Sequence, residues 1–102
     1  VDNTSQSLYQ DESRAVIITI LDQNHTAFVP TSASTYKVTD DGGVEVISEI
    51  NATNSSNTLT AVIGTAVTAT VGNYYIIWSI VDSNGYIYKH KTFIQVIDLE
   101  AV

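Results

Sequence analysis

The chain has 102 residues, 44% of them hydrophobic and only 15% charged, with a formal net charge of −7. That describes one domain with enough apolar surface for a core, and it excludes a disordered chain. So acidic a balance argues against nucleic acid and an anionic membrane surface as partners, since both call for clustered cations. There is no cysteine, which removes disulfides and thiolate metal sites together. No apolar run approaches the roughly 20 residues of a membrane helix. A start at Val1 with no methionine anywhere fits a processed reading frame without a signal peptide, or a domain cut from a longer protein.

In chain order, residues 1–10 are polar and non-periodic and read as an N-terminal arm, leaving residues 11–102 as the folded domain. "RAVIITIL" (Arg14 to Leu21) is β-branched and short, which predicts a strand. "DQNHTAFVP" predicts a turn, with Pro30 at a loop or strand edge. In "STYKVTD", Tyr36 and Val38 alternate with Thr35, Lys37 and Thr39, the period of a half-buried strand. Asp40-Asp41-Gly42-Gly43 makes a turn into "VEVISEI", where Val44, Val46 and Ile50 are expected on one face and Glu45, Ile47 and Glu49 on the other. After the polar loop "NATNSSN" comes "TLTAVI", with Leu59 and Ala61 facing away from Thr60 and Val62. "GTAVTATVG" is ambiguous between a weak strand and a connecting corner. "NYYIIWSIV" and "GYIYKHKTFIQVI" form the strongest hairpin. With no segment at helical period, short strands at regular turn intervals predict an all-β antiparallel sandwich.

The register of that last hairpin decides which side chains share a face. A two-residue Asn84-Gly85 turn would set Trp78 opposite Lys91 and Ile80 opposite Lys89. If the Trp78 face is the core, that buries two unpaired charges at several kcal/mol each. A three-residue loop closed by Gly85 in the left-handed region pairs Asp82 with Tyr86 instead. Ile80 then faces Tyr88, Trp78 faces His90, Ile76 faces Thr92 and Tyr74 faces Ile94. Burial cost selects this second register. It leaves an outer face of Tyr75, Ile77, Val81, Ile87 and Phe93 around Lys89 and Lys91. A solvated face should be mostly polar, so this contiguous apolar patch with two cations is a candidate interaction surface. The competing reading is that the N-terminal arm or another strand covers it.

The run "GNYYIIWSIVDSNGYIYKHKTFIQV" resembles the last two strands of bacterial and phage immunoglobulin-like domains. Gly72, Tyr74, Ile76, Trp78, Ile80, Asp82, Gly85, Ile94 and Val96 match their Gly-x-Tyr, Asp-x-x-Gly and apolar-x-Val pattern. The resemblance implies an immunoglobulin-like β-sandwich of about seven strands, with Tyr74 as a tyrosine corner whose phenol bonds back to backbone. The opening half, "DESRAVIITILDQNHTAFVPTSASTYKVTDDGGVEVI", resembles small immunoglobulin-like structural proteins of tailed bacteriophage virions. The paired cysteines of antibody-type domains are missing, which argues against an immune-receptor role.

Candidates for chemistry are few. His25 and His90 are far apart in sequence, and His90 reads as a rim residue against Trp78. Asp40, Asp41 and Asp82 lie in turns, where aspartate bonds nearby backbone. No Asp-x-Asp-x-Asp-Gly calcium loop, phosphate loop or nucleophile elbow occurs, so no catalytic, cofactor or metal residues are assigned and an enzyme is not expected. The Asn-x-Ser/Thr matches at Asn3, Asn24, Asn51 and Asn54 are what an Asn-, Ser- and Thr-rich chain supplies by chance. The resemblance implies a non-enzymatic virion assembly protein (capsid decoration, neck or tail) that docks on other virion proteins and on itself through the hairpin face and the arm. The alternative is a bacterial cell-surface adhesion or carbohydrate-binding domain, extracellular, with Tyr86 or Tyr88 in an open cleft.

Overall fold

A computed structural model of the protein describes residues 4–20 and 29–98. They form β1 (Ser5–Tyr9), β2 (Arg14–Thr19), β3 (Thr35–Asp40), β4 (Glu45–Asn51), β5 (Thr53–Ser55), β6 (Thr58–Ile63), the helical turn α1 (Thr65–Thr68), β7 (Gly72–Val81) and β8 (Ile87–Ile97). One sheet has the order β1-β8-β7-β3-β4 and the other β2-β6-β5. The all-β sandwich expected from the turn spacing is therefore the fold. His25 and most of the turn before Pro30 lie outside the described residues.

The core fills the space between the two inner faces, as sheet packing requires. Val16 and Ile18 of β2 and Leu59, Ala61 and Ile63 of β6 meet Tyr36, Val38, Ile76, Trp78, Ile80, Ile94 and Val96 of the larger sheet. These residues recur at every second position of their strands, so each strand turns one face inward. Trp78 is fully enclosed. Its ring lies 5.9 Å from that of Tyr36, and its indole N–H donates to Thr92 Oγ1 at 3.0 Å, which meets the need of a buried donor for a partner. The Tyr74 hydroxyl donates to the carbonyl of Thr70 at 2.8 Å, the tyrosine-corner bond that the resemblance implies.

Two local expectations change and one open reading is resolved. Residues 4–10 enter the larger sheet: β1 pairs in parallel with β8 from Ser5–Phe93 to Tyr9–Ile97, and Phe93 N–H donates to Thr4 O. Only Leu8 of β1 is buried, and a single inward residue leaves no periodicity to read. Next, β4 does not alternate. Register shifts on either side of Val38 turn both Val46 and Ile47 toward the core, while Val44 and Ile50 stay exposed; a bulge adds a residue and breaks the period of two. The stretch after Gly64 is a corner rather than a strand. In it, Val67 and Thr68 are buried, and the Thr68 hydroxyl donates to Glu12 O at 2.7 Å.

Candidate binding surfaces

The last hairpin has the three-residue loop that burial cost selects. β7 and β8 pair without interruption from Gly72–Val96 to Val81–Ile87, with Trp78 opposite His90 and Ile77 opposite Lys91. Gly85 has φ +84, and Gly85 N–H donates to Asp82 O while Asp82 N–H donates to Tyr86 O. The Asp82 side chain organises the loop. Its Oδ1 accepts from the backbone N–H groups of Asn84 and Tyr86, each at 2.9 Å, and its Oδ2 accepts from the Tyr88 hydroxyl at 3.3 Å. Asp82 is only 8% exposed, so these bonds are sheltered from water. Partial desolvation of the phenol by the loop beside it, followed by the Asp82 charge and its hydrogen bond, raises the pKa of Tyr88 above its usual value.

Beyond this loop the chain displays Tyr86, Ile87 and Tyr88, exposed by 66%, 62% and 48%. Three large apolar side chains in a row stand in water at the tip of a hairpin whose backbone is tied down at four points.

The second surface is the outer face of the larger sheet. Tyr75, Ile77, Val81, Ile87, Lys89, Lys91 and Phe93 all stand on it, paired in register. β1 lies beside β8 rather than across this face, so the covering-arm reading does not hold for the described part of that segment. Tyr75, Ile77, Val81 and Phe93 shield one another and are half-buried, whereas Ile87, Lys89 and Lys91 are exposed. The Tyr75 and Phe93 rings are 5.5 Å apart and tilted by 51°, and Lys91 Nζ sits 5.1 Å over the Tyr75 ring, a cation–π placement. Lys89 Nζ donates to Ser79 Oγ. Along the rim between β1 and β8 runs a groove of about 230 Å³ lined by Ser5, Gln6, Ser7, Phe93 and Gln95.

Two members of this face escape a reading of the hairpin alone. β3 pairs with β7 so that Lys37 is opposite Ile77 and Thr39 opposite Tyr75. Three of the four Lys/Arg residues in the chain thus share one face. At the far edge β4 contributes acids: Glu45 is paired with Thr39, and Glu49 Oε2 accepts from the Thr35 hydroxyl at 2.6 Å. Only the β3–β7 pairing reveals this polarity, because it joins segments some forty positions apart. The alternation of Lys37 with Tyr36 and Val38 was the one signal available in sequence.

His90 is half-buried opposite Trp78, at the rim where it was expected. Among the described residues, no group of three or more His, Asp or Glu stands together in a way that could hold a metal ion.

No family model and no curated protein matches the chain. Among solved structures it is similar to CopC from Methylosinus trichosporium OB3b, with a TM-score of 0.67 and 20% identity over 97% of this chain and 89% of that one. This likeness shows the fold alone, and it is the finding against the virion role and the virion location expected from the sequence. No comparison supports a phage origin. The Gly-x-Tyr and Asp-x-x-Gly pattern of the last two strands encodes a tyrosine corner and a hairpin loop, and sandwiches of unrelated role share both. What the chain shares with its structural neighbour is an all-β sandwich.

Proposed function

We propose that the chain is a non-enzymatic binding domain of the bacterial cell surface, which engages surface carbohydrate through the tip of the β7–β8 hairpin. One observation carries this reading: Tyr86, in a loop held by Asp82, and Ile87 and Tyr88, the first residues of β8, are exposed together at the hairpin tip. The tip sequence Ser83-Asn84-Gly85-Tyr86-Ile87-Tyr88 has the make-up of a binding loop. Tyrosine offers contact area with few rotatable bonds, and Ser, Asn and Gly supply adaptable hydrogen bonding. A pre-ordered loop loses little entropy on binding, which favours affinity. The net charge of −7 keeps such a domain from sticking to acidic polymers indiscriminately.

The test is an array of neutral and acidic bacterial surface glycans probed with the labelled domain. Tyr86→Ala and Tyr88→Ala are each expected to weaken binding about tenfold, the effect of losing about 1.4 kcal/mol at a contact centre. Binding that is indifferent to both changes, or no binding to any glycan, overturns the reading.

A further inference from the structure

We propose that the outer face of the five-stranded sheet is the contact surface of a symmetric homodimer, with a two-fold axis running along the strands between β7 and β3. This inference is independent of what the hairpin tip binds.

The argument starts from charge. Two chains of net charge −7 repel one another, so they associate only where local charge is complementary. This face provides such a place. Lys89 and Lys91 lie on β8 and Lys37 on β3, while Glu45 and Glu49 line the β4 edge. Within one copy the β8 lysines turn to neutral groups, Lys89 to the Ser79 hydroxyl and Lys91 to the Tyr75 ring. The proposed axis lays β8 of one copy over β4 of the other. Lysines then meet glutamates twice, as a self-complementary two-fold contact requires.

Apolar burial supplies the attraction that charge only orients. Tyr75, Ile77 and Phe93 are half-covered in one copy and lie toward the centre of the face, with Val81 at its tip end, where a second sheet packed about 10 Å away would enclose them. Five strands about 4.8 Å apart and about 20 Å long present roughly 500 Å² per copy. That is below the roughly 800 Å² per partner of standard stable interfaces, so the dimer is a reversible one. The same axis puts both hairpin tips at one end, giving two binding loops side by side and an avidity gain without a new contact.

Sedimentation velocity of the full chain tests the proposal, up to about 0.5 mM, where an interface of this size populates the dimer. The wild type should shift from monomer to dimer across the range. Lys89→Glu/Lys91→Glu and Glu45→Lys/Glu49→Lys should each remain monomeric while keeping the wild-type thermal midpoint. Mixed together they should form a heterodimer, because every opposing pair is again of opposite sign. A wild type that stays monomeric throughout overturns the proposal. So does a dimer that neither double variant weakens, or a mixture of the two variants that does not associate.

Discussion

The two hairpin loops of the larger sheet have the same local design and different surroundings. Asp40-Asp41-Gly42-Gly43-Val44 and Asp82-Ser83-Asn84-Gly85-Tyr86 both start with an aspartate whose Oδ1 accepts the N–H groups two and four residues on, all at 2.9 Å. Both end in a glycine at φ +84. In both, the aspartate carbonyl accepts from that glycine, and the aspartate N–H donates to the residue beyond it. Past the turn they diverge. The second loop continues into ten uninterrupted pairs, and its aspartate is buried beneath Tyr88. The first continues into a bulged pair on the sheet edge. Turn chemistry therefore sets a loop, but burial sets the register of the strands that leave it.

If burial separates the loops, removing the aspartates should do unequal damage. Asp82→Ala is expected to cost about 2–3 kcal/mol, because sheltered N–H groups and a phenol lose a charged acceptor. Asp40→Ala, nearer to solvent, is expected to cost about 1 kcal/mol, the usual loss of a capping side chain. Urea unfolding of the two variants measures both, and equal costs would break the distinction.

Removing the glycines should instead show what the loops have in common. A Cβ on Gly43 or Gly85 meets no atom within 4 Å, so only backbone strain opposes it. Gly43→Ala and Gly85→Ala are each expected to destabilise by about 1 kcal/mol. A much larger loss at one of them would mean that its surroundings, and not its φ angle, choose glycine.

The smallest effect lies in pH dependence, since only the second loop has a phenol on its aspartate. The pKa of Tyr88 is raised in the folded chain, first by desolvation and then by Asp82. The folded state thus holds that proton more tightly than the unfolded one. Its contribution to stability is whole below the ordinary tyrosine value near 10 and is lost as pH climbs through the folded value. Denaturation midpoints between about pH 9 and 11 should fall less steeply in Tyr88→Phe than in wild type. Parallel slopes would remove Tyr88 from the account.

The same contrast explains what could be read from the linear chain. Trp78, Ile80, Lys89 and Lys91 sit close together in sequence, and one arithmetic choice of loop length either buries two lysines or exposes them. That choice was legible, and the observed pairing follows it. β1 was not legible: of its five residues Leu8 alone is buried, and its hydrogen bonds go to a strand more than eighty positions away. The bulges opposite Val38 were hidden for a related reason. An edge strand that sets only Val46 and Ile47 against the core leaves Ile50, and Val44 just before it, in solvent, so its composition does not report its register. The resemblance to virion proteins rested on the opening half, where Tyr36, Val38, Asp40 and Gly43 encode a strand and its turn rather than a role.

Of the two candidate surfaces, the sequence by itself supplied one half: the hairpin face with Tyr75, Ile77, Lys89, Lys91 and Phe93. Short-range periodicity and the cost of burying charge suffice to place those residues together. The other half, Lys37 with Glu45 and Glu49, was decided only when β3 paired with β7 and carried β4 to the edge. Local preferences specify strands and turns, but the order of strands in a sheet is settled by which set of long-range pairings encloses one common core.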